Sequence, residues 1–166
     1  MKTKYLITII FFASLLSSCE DYEYDIKKWN SRASSQYSKG NYDKAIDYYN
    51  KSLESNYFNY YSDLAFESYE RKGWVYYRMR NYSNAIKNYD DAIKINSQEH
   101  SVFFWRGSAY SHLRKYDEAI GDYNTAIKLN PKERADYLKK IELNKRLKSN
   151  PEFEKTMIKI RNAVRK

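Results

Sequence analysis

The chain has one cysteine, two histidines, two prolines and four glycines among its 166 residues. One cysteine excludes an intrachain disulfide and a cysteine-built metal site. Only His100 and His112 remain as imidazole ligands, and both are expected on helix surfaces, not around a metal ion. There is no Ser/His/Asp arrangement, no metal-ligand spacing and no glycine-rich phosphate loop. The four glycines fall where turns or close helix contacts are expected. The carboxylate pairs Asp90-Asp91 and Asp117-Glu118 fall on outer or terminal helix positions, where solvation accounts for them. These absences read as a protein that is not an enzyme and uses neither cofactor nor metal.

Long apolar runs are also scarce, and the one that exists lies at the start. Lys2 and Lys4 precede a nearly unbroken apolar stretch from Tyr5 to Leu16, followed by small residues and Cys19. That layout is a secretory signal, too short for a comfortable membrane span. Leu16-Ser17-Ser18-Cys19 resembles a bacterial lipobox. The resemblance implies a signal peptide over 1–18 and lipid attachment at Cys19. It places the chain in a bacterial cell envelope as a membrane-anchored lipoprotein, facing the periplasm or exposed on the outer membrane. Each acyl CH₂ buried in lipid is worth about 0.8 kcal/mol. The acidic "EDYEYDI" that follows reads as a short disordered tether, residues 19–25.

The formal charge of +9 is unevenly distributed. Residues 19–131 hold 16 basic and 16 acidic side chains, whereas residues 132–166 hold 12 and 5. In an exported chain such a basic end points to anionic lipid or an acidic partner, and not to nucleic acid. A solvated lysine-rich helix face is the simpler account of it.

What the chain has in quantity is tyrosine, 19 in all, and it recurs in a pattern. "NYDKAIDYYNKSLESN", "NYSNAIKNYDDAIKIN" and "KYDEAIGDYNTAIKLN" are three versions of one segment. Their alanines are Ala45, Ala85 and Ala119, the last two 34 residues apart and the first two 40 apart, so six residues are inserted in the first unit. A fixed period in this range signals a repeat architecture. Each unit opens on an aromatic (Trp29, Tyr69, Phe103) with a small residue four places on (Ala33, Gly73, Gly107). Then follow an aromatic (Tyr42, Tyr82, Tyr116), the alanine, a second aromatic (Tyr49, Tyr89, Tyr123) and a small residue (Ser52, Ala92, Ala126). Spacings of three, four and seven place these groups on one face of each of two helices. The small residues let the helices cross closely, which accounts for glycine inside a helix despite a cost of ~1 kcal/mol relative to alanine. Gly40-Asn41, Arg80-Asn81 and Arg114-Lys115 sit at the predicted turns.

This pattern resembles the tetratricopeptide repeat, in three units at 26–59, 66–99 and 100–133, with Pro131 at the family's proline place. The first unit diverges most, with Arg32 and Gln36 at places usually apolar and aromatic, and its insertion near 56–63 predicts a longer loop or an extended helix. Beyond Pro131 the period fails, but Asn130-Pro131 and Asn150-Pro151 read as helix starts. Two further helices, 131–147 and 151–164, are predicted to cap the stack within the basic segment 134–166, the second presenting Phe153, Met157, Ile160 and Val164 as an apolar stripe. The expected fold is all-α: an α-solenoid of three helix-turn-helix repeats with C-terminal capping helices.

The resemblance implies a groove lined by the first helix of each unit, which binds a segment of another protein. The family's groove places fall on Lys27, Asn30, Ser34 and Tyr37 in the first unit. In the second they fall on Glu67, Glu70, Arg71, Trp74, Tyr77 and Arg78. In the third they are Ser101, Phe104, Trp105, Ser108, Ser111 and His112. Trp74 follows the inward-packing Gly73, so helical geometry turns its indole toward the groove, and Trp74, Tyr77, Phe104 and Trp105 can form an aromatic floor. Phe104 or Trp105 can instead tuck between repeats. Some members of the family grip a carboxylate through a basic clamp. Its places here are Asn30, Ser34, Arg71, Ser101 and Trp105, and only Arg71 is cationic. The expected function is a lipid-anchored scaffold or assembly adaptor of the cell envelope; the alternative is a glycan or cell-wall binding module using the same aromatics.

Overall fold

The computed structural model describes residues 22–55 and 62–164. Cys19, the signal segment and most of the six-residue insertion lie outside the described residues. The elements are all helical: α1 over 22–38, α2 Tyr42–Glu54, α3 Ser62–Arg78, α4 Tyr82–Ile95, α5 His100–His112 and α6 Tyr116–Leu129. A 3₁₀ turn, Pro131–Glu133, leads into α7, Arg134–Ser149, and α8 spans Pro151–Ala163. Helices pair in sequence order, α1 with α2, α3 with α4 and α5 with α6, and each pair packs on the next.

The turns follow from local chemistry. Gly40, Arg80 and Arg114 occupy the same place in three hairpins, all with left-handed φ near +60 to +76°. Their amide N–H groups and those of the next residues donate back to the last turn of the helix, for example Arg80 N to Tyr77 O and Asn81 N to Tyr76 O, both 2.9 Å. That closes the carbonyls a helix end leaves open. Asn130 and Asn150 cap their helices as expected, their side chains accepting from Lys132 N at 3.2 Å and Phe153 N at 3.0 Å.

The core is a row of small clusters that run from each hairpin into the next helix. Ala33, Ala45, Ile46, Tyr49 and Val75 make the first; Ala85, Tyr89, Ala92, Val102 and Ala109 the second; Ala119, Tyr123 and Ile141 the end. Polar joints stitch the pairs together. Ser68 Oγ lies 2.9 Å from both Ser52 Oγ and Asn30 Oδ1. Arg106 of α5 donates twice to Asp122 of α6, at 2.9 and 2.7 Å, and once to Asp90 of α4, at 2.7 Å.

Several sequence expectations need correction. The acidic stretch read as a tether supplies the first turn of α1 from residue 22, with Glu23–Lys27 and Asp25–Lys28 pairs and a fully buried Ile26. These i,i+3 and i,i+4 ion pairs favour helix over disorder. Solvation alone does not account for Asp90: its side chain is 40% exposed, but Arg106 bridges it to Asp122 across three helices. On α8 the half-buried residues are Phe153, Glu154, Met157 and Ile158, so Phe153 and Met157 of the expected stripe face inward, while Ile160 and Val164 are 51% and 83% exposed. The stripe is rotated because Glu154 is drawn inward, accepting from Tyr116 Oη at 2.6 Å and pairing with Arg114 Nε at 2.8 Å. Gly121 stands at no contact: a Cβ there meets nothing within 4 Å.

Gly73 and Gly121 therefore respond oppositely to alanine. A Cβ on Gly73 would lie 2.7 Å from Cε1 of the buried Tyr89. Gly73→Ala is expected to lower unfolding free energy by about 1–3 kcal/mol. Gly121→Ala is expected to raise it by about 0.5–1 kcal/mol through helix propensity alone. Urea denaturation followed by helical circular dichroism separates the two.

Candidate functional site

The first helices of successive pairs, α1, α3 and α5, carry a continuous aromatic seam. Trp74 Nε1 donates to Tyr37 Oη at 2.8 Å, joining α3 to α1. Trp74 and Trp105 meet edge to face with centroids 4.2 Å apart at 61°, joining α3 to α5. Tyr77 stacks on Trp74 at 5.6 Å and meets Trp105 at 5.5 Å. His112 closes the seam, its ring parallel to Tyr82 at 4.4 Å and its Nε2 3.1 Å from Tyr77 Oη. Offset and edge-to-face aromatic contacts of this kind are worth about 0.5–1.5 kcal/mol each beyond burial.

A pocket of about 290 Å³ opens against the seam, lined by Glu70, Arg71, Trp74 and Trp105. Arg71 Nε donates to Glu67 Oε1 at 2.7 Å, one helical turn back. Glu70 Oε1 accepts from Ser101 Oγ at 3.1 Å. Burial holds the Glu70 carboxyl above the usual carboxylate range, and the like charges of Glu99 and Glu67 add to this against the Ser101 bond and Arg71. Arg78 lies over the Trp74 ring at 5.8 Å and donates to Tyr37 Oη at 3.3 Å.

Of the groove residues expected from sequence, the structure thus gathers Tyr37, Glu70, Arg71, Trp74, Tyr77, Arg78, Trp105 and His112. Phe104 stands between the seam and the joint with α7: its ring meets Trp105 edge to face at 4.9 Å and packs on Tyr123 and Tyr137 from the other side. Ser108 is not a groove group: it is 7% exposed, and its Oγ sits 3.2 Å from Tyr123 Oη between the helices. Asn30 is withdrawn in the same manner, 6% exposed beside Ser68. Neither histidine lies on an open surface, since His100 Nδ1 is 2.7 Å from Tyr137 Oη and His112 is held in the seam. Among the described residues no group of three or more His, Cys, Asp or Glu side chains could hold a metal ion.

Comparing the repeats explains why Trp74 behaves differently from Ser108. In the first pair Ser34 Oγ lies 3.3 Å from the buried Tyr49 Oη, and in the third Ser108 does the same for Tyr123. The matching partner in the second pair is Trp74, whose indole is too large for that place and extends to the seam instead. Tyr89 is consequently fully buried with no hydrogen-bond partner for its Oη. An unpartnered buried hydroxyl costs about 1–3 kcal/mol. Sequence reasoning could have found this by aligning the three units at the residue after the small one: serine, tryptophan, serine.

Residues 25–98 match one family model and residues 100–133 another, both described as tetratricopeptide repeat. No curated protein matches the sequence. Among solved structures, the second TPR domain of the human RPAP3 protein, in complex with the HSP70 peptide SGPTIEEVD, superposes with a TM-score of 0.66 at 21% identity, over 75% of this chain and 98% of that one. The first TPR of Spaghetti (RPAP3), bound to the HSP90 peptide SRMEEVD, gives 0.66 at 20% identity over 76% and 98%. The Arabidopsis OM64 TPR domain gives 0.64 at 19% over 73% and 97%.

Two outcomes follow from this geometry. Tyr89→Phe removes an unpartnered hydroxyl and is expected to leave stability unchanged or raise it by about 1 kcal/mol, whereas Tyr123→Phe is expected to cost about 0.5–1.5 kcal/mol. Thermal denaturation of the two variants decides between them. Glu70→Gln is expected to raise Tm at neutral pH. The folded carboxyl has a raised pKa, so ionising it opposes folding, and the advantage of the variant should shrink as pH falls below that pKa and vanish below the ordinary carboxylate value.

Proposed function

The chain belongs to the tetratricopeptide repeat family, and on that footing we propose that it is a lipid-anchored scaffold or assembly adaptor of the bacterial cell envelope. Its working surface is the seam of α1, α3 and α5, which binds a segment of a partner protein. Repeats of this family are protein-interaction modules, and two of the similar structures are in complex with a peptide. The observation that carries the reading is Trp74: an indole exposed toward a pocket at the expense of the Tyr89 hydrogen bond. Tryptophan, tyrosine and arginine are the residue types that dominate binding hot spots.

The partner differs in kind from those named for the structural neighbours. SGPTIEEVD and SRMEEVD are acidic peptides, and a cationic clamp would suit them. Here Asn30 is buried, Ser34 faces Tyr49, Ser101 serves Glu70 and Trp105 is apolar. Arg71, the remaining cation of those five places, is paired with Glu67. The glycan alternative is disfavoured by the same geometry, because Trp74 and Trp105 meet edge to face and form a corner, not a flat platform.

Anchoring rests on Cys19. No helix among the described residues is long and apolar enough to cross a membrane. The outward edge of α8, with Ile160 and Val164 among exposed lysines, is suited to a second, weaker contact with anionic lipid or an acidic partner.

Two measurements test this. Cys19→Ser should move the protein from the membrane to the soluble fraction and abolish labelling by a fatty-acid analogue. In affinity purification from its native envelope, the lipidated protein should retain a partner that a Trp74→Ala/Trp105→Ala variant, shown to remain helical, does not. Identical partners with both forms would remove the seam as the site.

A further inference from the structure

The pocket between α3 and α5 contains a carboxyl, Glu70, that forms no ion pair among the described residues, although Arg71 lines the same pocket. Glu70 is half-buried, and its Oε1 accepts from Ser101 Oγ, a neutral donor. The nearest cation in its own helix, Arg71, is committed to Glu67. The other charges acting on it, from Glu99 before α5 and Glu67 on α3, are of its own sign. Buried carboxylates elsewhere in this molecule are treated differently: Asp122 has both oxygens on Arg106, and Glu154 has Arg114. Burying a carboxylate without such a partner is costly, so an isolated one at a pocket wall is a group awaiting its counter-ion.

The remaining walls favour the same ligand. Trp74 and Trp105 form a corner of two indoles, and an indole face attracts a cation within about 6 Å, the more so when desolvated. The chain already uses its tryptophans this way. Arg78 lies over Trp74, and Lys28, Arg32 and Lys51 surround Trp29 at 4.9–5.2 Å. The volume of about 290 Å³ lies at the lower limit of small-ligand pockets, room for a side chain and not for a helix.

We propose that this pocket receives a cationic side chain, arginine or lysine, of the segment that the seam binds, with Glu70 as its counter-ion and the Trp74–Trp105 corner as its wall. The proposal rests on the protein-binding reading above and adds the chemical class of the anchoring residue. Glu70 and Ser101 set specificity, and the indoles supply affinity.

The test uses the full chain, detergent-solubilised, against a displayed library of random peptides, followed by binding measurements on the selected sequences. Selected peptides should carry arginine or lysine. Replacing that residue by norleucine, or Glu70 by Gln, should each weaken binding by about tenfold, as expected for loss of one charge-assisted contact. The two changes together should weaken it no further than either alone. The Glu70→Gln protein must keep the Tm of the parent or exceed it, so that lost binding is not lost folding. Selection of acidic or neutral peptides whose binding ignores Glu70→Gln but disappears in Trp74→Ala would overturn the cationic anchor while leaving the seam as a binding site. Selection of no peptide above an empty support would overturn both.

Discussion

The structure depends on the contact between a small residue on the first helix of each pair and a buried tyrosine on the second. Ala33 meets Tyr49, Gly73 meets Tyr89 and Gly107 meets Tyr123. The tyrosine ring fills the space that the missing side chain leaves, which sets how closely the two helices cross. Interiors pack at crystal-like density, so this distance has little freedom. Each pair is too thin to bury its own faces. Stacking pairs converts those faces into a continuous core, which is why the unit is repeated.

The same contact explains how the middle repeat differs from its neighbours. In the outer two repeats the residue after the small one is a serine that partners the tyrosine hydroxyl. In the middle repeat that residue is Trp74, and the hydroxyl of Tyr89 is left alone. A structural hydrogen bond has been exchanged for an indole at the centre of the seam. Once outside, the indole is fixed from both sides, by Tyr37 on α1 and by Trp105 on α5. Preorganisation of this kind lowers the entropy a ligand must overcome on binding.

Polar groups do the rest of the joining. Arg106 ties α4, α5 and α6 through two carboxylates, and burial raises the Asp122 pKa even with the guanidinium beside it. At the far end Glu154 ties α8 to the α5–α6 hairpin through Tyr116 and Arg114. These long-range pairs fix relative orientation, which apolar contacts between helices leave loosely specified. Against that background Glu70, with a serine and no ion pair, is the exception.

The amino-acid pattern alone determined the fold class, the three units, the turns at Gly40, Arg80 and Arg114, and the caps at Asn130 and Asn150. These are legible because each depends on residues close in sequence: helical periodicity, a left-handed turn position, a side chain reaching two or three residues on. Trp74, Tyr77, Arg71 and Trp105 were legible as a face for the same reason. Only the tertiary structure decided which members of that face reach the seam. Asn30 and Ser108 occupy groove register yet are short enough to turn inward and find partners on neighbouring helices, and Phe104 fills the joint with α7. The isolation of Glu70, the bridging of Asp90 and the rotation of α8 likewise arise from pairings 16 to 38 residues apart. Periodicity fixes the side of a helix on which a residue lies, but only packing across helices sets the charge and space it meets there.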